Sequence, residues 1–292
     1  MNKCFITKLP SSVDNDNLPV LGQLKISWLK QNNLTNNDAR AIGLATNDSI
    51  VVKVSGAHLT DNTLTSNLGN TKTITAANGF VWLYVSNDTD ATLTIDNKYA
   101  LTQINAPKQA DGENSIYFDI KDIKYCTNLT ALILSHTQVS GDISAVSKLT
   151  NLTALNLSHT QVSGDIDNLA ALSKLIDNIN LKDLALTGDM SKIPAGVYII
   201  SQNGRKVTTN FTWTANGRQN ATLLAMEGAI PFDTASMDNM LIDQATCTFK
   251  GKDSQPLTKI ISVKGTRTSA SDAAVTAIQS KGITITGVTK QA

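Results

Sequence analysis

Two histidines and three aspartates recur at matching places in this chain, and they are its best candidates for chemistry. His136 and His159 lie 23 residues apart, and each follows the same words, NLTAL-x-LS. If those words form adjacent strands, the imidazoles stack about one strand spacing apart, roughly 4.8 Å. Two imidazoles at that distance suggest a metal, but no third ligand repeats with them, and repetition alone accounts for the pairing. Asp142, Asp165 and Asp189 each follow a glycine. A carboxylate ladder suggests Ca²⁺, which takes several oxygen ligands. The repeats lack a Gly/Asp-rich nonapeptide, and the expected role of these aspartates is to accept backbone N–H bonds in a solvated turn. No metal site and no cofactor is therefore expected. G-x-S-x-G, H-E-x-x-H, Walker and dinucleotide motifs are all absent. No catalytic residue is assigned, and the chain is expected not to be an enzyme.

These residues are positioned by a repeat. Residues 128–150 read NLTALILSHTQVSGDISAVSKLT and residues 151–173 read NLTALNLSHTQVSGDIDNLAALS. A looser third copy sets Ile179, Leu181, Leu186 and Gly188-Asp189 against Leu155, Leu157, Val162 and Gly164-Asp165, at a spacing of 24. Leu129, Leu132 and Leu134 stand at i, i+3 and i+5, as do Leu152, Leu155 and Leu157. The pattern resembles the leucine-rich repeat, L-x-x-L-x-L, which implies a solenoid of stacked short strands. Side chains alternate across a strand, so the leucines face inward and the residues between them face the concave side. That concave face would carry Ile133, Ser135, Asn156, Ser158, Asn180 and Lys182, the candidate binding residues. Val139 and Val162 turn back into the core, Gly141 and Gly164 permit the sharp turn, and the segment from Ile143 to Leu149 returns along the convex side. The family usually carries Asn or Cys after the strand; Thr137 and Thr160 stand there instead.

The rest of the chain divides around this block. The expected fold is mainly β with short helices: an N-terminal arm (1–30), a β domain (31–106), a leucine-rich-repeat solenoid (107–200) and a repeat-like C-terminal α/β region (201–292). Phe5, Ile6, Leu9, Leu18 and Leu21 make the arm too apolar for a free tail, so it is expected to anchor on a partner. Residues 50–54, 71–75, 80–85 and 91–95 are β-branched or aromatic runs between turn signals and are expected as strands. Tyr99 to Ile104 reads as the start of a further repeat turn, and Pro107 to Asn114 as a linker. Ile116, Phe118 and Ile120 alternate as a strand capping the solenoid. Strands are expected at 197–200 and 211–214 about a turn at Asn203-Gly204, and one more at Asp243–Phe249. Near the C-terminus, Ile261 and Val263 recur as Ile283 and Ile285, 22 residues later. Between them Ser269-x-x-Asp272 opens a helix, with Val275 and Ile278 on one face, that Gly282 stops. Trp28, Trp82 and Trp213 sit in apolar or strand contexts and are expected in cores.

The totals narrow the partners. Charged residues make up 17% and the net charge is +1, which gives no electrostatic case for nucleic acid. No stretch reaches the 18–20 apolar residues of a membrane helix. Cys4, Cys126 and Cys247 are far apart and odd in number, so they are expected as unpaired thiols. The first residues hold no apolar run of signal-peptide length, and no secretion route is expected.

The repeat wording NLTALxLSHTQVSGDI is similar to leucine-rich repeats of Bacteroides and related gut bacteria and of the phages that infect them. The closing words KIISVKGTRTSASDAAVTAIQSKGITIT are similar in style to repeat ends of phage structural proteins. The opening MNKCFITKLPSSVDNDNLPVLGQLKI resembles the N-terminal anchor of head fibre or decoration proteins of crAss-like bacteriophages. The resemblance implies a virion structural protein, assembled in the host cytoplasm and anchored to capsid or tail proteins through residues 1–30. Copies are expected to associate as a trimer, with a dimer next, and a host cell-surface glycan or protein is the external partner. Alternatives are a secreted or surface leucine-rich-repeat adhesin of a Bacteroides-type bacterium and a glycan-degrading phage enzyme.

Overall fold

The computed structural model describes residues 24–28, 49–54, 62–66, 71–74, 80–84, 91–95, 98, 101–106, 116–175, 178–193, 197–199, 211–214, 222–223, 225–249 and 260–292. The anchor residues Phe5, Ile6, Leu9, Leu18 and Leu21, together with Cys4, the linker at 107–114 and the turn at Asn203-Gly204, lie outside them. The protein is mostly strand with few short helices.

Among the described residues, eight strands precede the repeats: β1 (Leu24–Trp28), β2 (Ser49–Val54), β3 (Asn62–Ser66), β4 (Thr71–Ile74), β5 (Phe80–Tyr84), β6 (Ala91–Ile95), β7 (Leu101–Asn105) and β8 (Ile116–Tyr117). The β-branched runs thus form strands where expected, as β2, β4, β5 and β6. Antiparallel pairing gives a sheet in the order β4-β3-β6-β1-β8. β2 pairs antiparallel with both β5 and β7. The capping strand is shorter than the alternation of Ile116, Phe118 and Ile120 suggests. Asp119 accepts the Lys121 N–H at 2.9 Å and turns the chain into a 3₁₀ segment, Ile120–Ile123.

The repeats stack as their leucines require. β9 (Ala131–Ile133), β11 (Ala154–Asn156) and β13 (Asn178–Asn180) pair in parallel, with Leu132 beside Leu155 and Leu155 beside Ile179. These three side chains are buried, as are Leu134, Leu157 and Leu181. On the far side of each coil, β10 (Ser140–Asp142), β12 (Gln161–Asp165) and β14 (Ala185–Thr187) form a second parallel sheet. The first return leg is a 3₁₀ turn, Ile143–Lys148, because Ile143, Val146 and Leu149 recur every third residue and all three are buried. Thr137 and Thr160 replace the usual asparagine by donating Oγ1 to the carbonyls of Leu134 and Leu157, each at 2.7 Å.

Past the third copy the coil continues through β15 (Val197–Ile199), β16 (Thr222–Leu223), β17 (Ala225–Pro231), helix α1 (Thr234–Thr246), β18 (Thr248–Phe249), β19 (Ile260–Arg267), helix α2 (Asp272–Ser280) and β20 (Thr284–Lys290). The strand expected at Asp243–Phe249 is corrected: its first residues are the last turn of α1, and only Thr248 and Phe249 form a strand. Met237, Met240, Leu241 and Gln244 are buried at helical spacing, and Asp233 caps the helix by accepting the Ser236 N–H at 2.8 Å. Phe211 and Thr212 make single bridges to Phe232 and Asp189, and Trp213-Thr214 lie outside any strand. Helix α2 begins later than expected, at Asp272 with Ser271 at its N-cap, because Ser269–Ser271 form a 3₁₀ turn capped by Thr268. The register of the last pair also differs from a 22-residue repeat. Ile261 sits beside Ile285, 24 residues on, and after an irregularity Gly265 sits beside Val288, 23 residues on.

Among the described residues one sheet of ten strands runs β20-β19-β17-β15-β13-β11-β9-β7-β2-β5, crossing two of the three positions where the sequence suggests boundaries, 106/107 and 200/201.

Candidate functional site

The concave face is set by register. Ile133, Asn156 and Asn180 stand side by side on β9, β11 and β13, with Asn105 of β7 beside Ile133. The six candidate residues are thereby brought together, but not equally presented. Ile133, Asn156, Asn180 and Lys182 are half-buried, whereas Ser135 and Ser158 are 9% and 3% exposed and offer little surface. Ser158 is drawn in because Asn156 Oδ1 accepts both its N–H, at 3.1 Å, and its hydroxyl, at 2.8 Å. Asn180 Oδ1 accepts the Lys182 N–H at 3.2 Å in the same way. Trp213 is a core residue, its indole N–H donating to Asp243 at 3.0 Å and its ring edge-on to Phe232. The side chains of Trp28 and Trp82 lie outside the described residues.

Beside this face runs the histidine column. The rings of His136 and His159 stack with centroids 4.2 Å apart and planes 19° from parallel. Both residues have positive φ, 59° and 56°, and the third rung places Asp183 there with φ 60°. Asp183 is 6% exposed and its carboxylate lies 3.0 Å from His159 Nδ1. A nitrogen that close to a carboxylate carries the proton. Face-to-face rings hold their in-plane lone pairs parallel rather than convergent, an arrangement unsuited to sharing one ion. Among the described residues no group of three or more His, Cys, Asp or Glu side chains is placed to hold a metal.

The aspartate column ends each turn of the second sheet. Asp142, Asp165 and Asp189 accept the N–H two residues on, from Ser144, Asp167 and Ser191, at 2.8, 2.9 and 2.9 Å. Asp119 is a fourth member that sequence reading missed. Its signal was present, since DIK at 119 lies 23 residues before DIS at 142. Burial of the Asp189 carboxyl works to raise its pKa, but hydrogen bonds from Thr214 and Ser191 prevail and hold it below the usual range. Elsewhere, burial pushes the Cys126 thiol up to about 12, which removes it as a nucleophile. Cys247 is likewise a buried thiol outside any disulfide, and it donates to the Asp243 carbonyl at 3.5 Å.

No family model and no curated protein matches the chain. Among solved structures it is similar to a plant ice-binding protein at 17% identity and a TM-score of 0.29, over 50% of this chain and 52% of that one. It is also similar to the leucine-rich-repeat ectodomain of the receptor kinase GASSHO1/SCHENGEN3 from Arabidopsis thaliana, at 15% identity and 0.28, over 60% of this chain and 26% of that one. An internalin from Listeria monocytogenes gives 15% and 0.20, over 68% of this chain and 85% of that one. The match spans about half the ice-binding protein and about a quarter of the receptor ectodomain. By their own register the parallel strands β9, β11, β13 and β15 stack as a leucine-rich-repeat-like solenoid.

Proposed function

We propose that this protein is a non-enzymatic structural component of a bacteriophage virion, a head fibre or a capsid or tail decoration protein. In this reading the arm docks on the capsid or tail through Phe5, Ile6, Leu9, Leu18 and Leu21, ahead of β1, whose Leu24 and Ile26 are buried within the chain's own sheet. The coils project outward as a stiff spacer whose concave face meets the host surface. The observation that carries the reading is the unbroken ten-stranded ladder from β5 to β20. Such a ladder resists bending because each coil is bonded to its neighbours. Three aspartates of the described coils are engaged within the stack: Asp183 with the histidine column, Asp142 and Asp165 with backbone N–H groups. This is what a scaffold needs and not what a hydrolase needs.

Light scattering coupled to size exclusion, on the full chain and on a version lacking residues 1–23, which spares β1, tests the fibre. A trimer, or failing that a dimer, that survives loss of the arm is the expected result. A monomer in both forms would sink the fibre and leave single-copy decoration, which co-sedimentation of the full chain with purified phage capsids would then decide. Release of reducing ends from a host capsular polysaccharide would overturn the non-enzymatic reading.

A further inference from the structure

The amides of the concave face are oriented. Asn156 and Asn180 are register neighbours in adjacent parallel strands, about 4.8 Å apart. Each commits Oδ1 to a backbone N–H two residues on, Asn156 to Ser158 and Asn180 to Lys182. An atom that accepts from a backbone N–H has to be the carbonyl oxygen, so the flip of each amide is settled by its partner. Both Nδ2 groups are left as donors, and among the described residues neither has a partner. Lys182, two residues beyond Asn180, adds a charged third donor to the row.

Of the carboxylates nearby, Asp183 is buried against His159 Nδ1, and Glu227 stands in the same register row two strands beyond Asn180. On the other side of the row lies an apolar shelf. Ala131 pairs with Ala154 in register, Ile133 pairs with Asn156, and all three apolar residues are half-buried rather than sunk in the core. A small apolar shelf beside three donors is matched by a ligand with a C–H face and an anionic oxygen group at its edge.

We infer that this patch binds a saccharide unit carrying an anionic oxygen group, a carboxylate or a sulfate. The sugar ring lies over Ile133 and Ala154, and the anion accepts from Asn156 Nδ2, Asn180 Nδ2 and the Lys182 ammonium. The inference rests on the concave face being the recognition surface proposed above, and it specifies the chemistry of what is recognised.

Isothermal titration of the full chain with three oligosaccharides of equal length tests it: a polyuronate, a sulfated glucan and a neutral glucan. At least one acidic oligomer is expected to bind, more weakly as salt rises, and the neutral one to bind about tenfold more weakly or worse. Whichever acidic oligomer binds identifies the group. The double variant N156D/N180D keeps an oxygen for the Ser158 and Lys182 N–H groups, so its unfolding midpoint should stay near that of the parent. It replaces both donors with negative charge, and binding should fall more than about tenfold. Equal binding of the neutral oligomer, or of the variant, overturns the inference. If no acidic oligomer binds, yet the chain adheres to Bacteroides-type cells and the double variant does not, the ligand class is wrong and the recognition surface stands. If the chain adheres to no cells either, both readings fall.

Discussion

At the level of single residues, the second sheet stacks so closely that side chains from one coil occupy the space beside glycine in the next. Gly164 has φ 120°, and a Cβ there would lie 2.8 Å from Asp142 Oδ2. Gly164→Ala combines an unfavourable backbone with a clash and is expected to cost about 1–3 kcal/mol. The clash can be separated from the strain. In an Asp142→Ala background the same substitution should cost about 1 kcal/mol less, read as a non-additive shift in urea midpoints. Equal costs in both backgrounds would assign the whole effect to φ. Asp189 offers a pH-dependent counterpart. Its folded pKa lies below the ordinary carboxylate value despite burial, because Thr214 and Ser191 donate to the charged form. A depressed folded pKa stabilises the protein above the unfolded value, about 3.9, and that stability is lost as pH falls through the folded one. Asp189→Asn should therefore cost about 2 kcal/mol near neutral pH. The gap between the two unfolding curves should close below about pH 4. A gap that persists unchanged at low pH would show that shape, not charge, is what Asp189 supplies.

At the level of elements, near-identical coils are interchangeable. Deleting residues 151–173 removes one coil and leaves Leu132 to pair where Leu155 paired, beside Ile179. The shortened chain is expected to fold with its strand content otherwise intact and with reduced stability, since one coil interface is lost. Circular dichroism and urea unfolding measure both, and an unfolded product would mean that the coils are not equivalent. Helix α1 depends on its cap in the ordinary way, and Asp233→Ala should cost about 1 kcal/mol. The contrast between these two elements explains what the sequence reveals. The coil strands were legible because three leucine columns repeat at a fixed spacing. α1 was not, because its buried positions include Ser236, Asp238, Asp243 and Gln244 beside its methionines, which blurs the 3.6 period. The two aspartates are held by tertiary partners distant in sequence: Asp238 accepts from Thr268 and Ser271, and Asp243 from Trp213. The same holds at the concave face. Its six positions followed from alternation, while the direction of the two amides needed the backbone N–H groups of Ser158 and Lys182.

Across the whole molecule, the antiparallel strands β5, β2 and β7 continue the parallel sheet of the coils. β7 holds Ile104 against Leu132 of β9, although Leu101 and Ile104 carry only a fragment of the repeat wording. β1 pairs with β8, setting Trp28 beside Ile116. Lys98, 7% exposed, reaches across to donate to the Asp122 carbonyl at 3.0 Å. Cutting the chain at 106/107 would break all three contacts at once. A version beginning at residue 107 would leave the parallel edge of β9 without its neighbour, and exposed parallel edges recruit other chains. It is expected to aggregate, or to unfold at clearly lower urea than the full chain. The two halves mixed as separate polypeptides should partly restore the midpoint, because β7 can re-pair with β9. Independent folding of residues 107–292 with an unchanged midpoint would refute this, and would mean that the solenoid holds itself together without β7. The outcome bears on reach as well as stability. If the ladder is one cooperative body from β5 to β20, a force applied at the N-terminal end is carried along the sheet to the concave patch of β9, β11 and β13, as a stiff spacer requires.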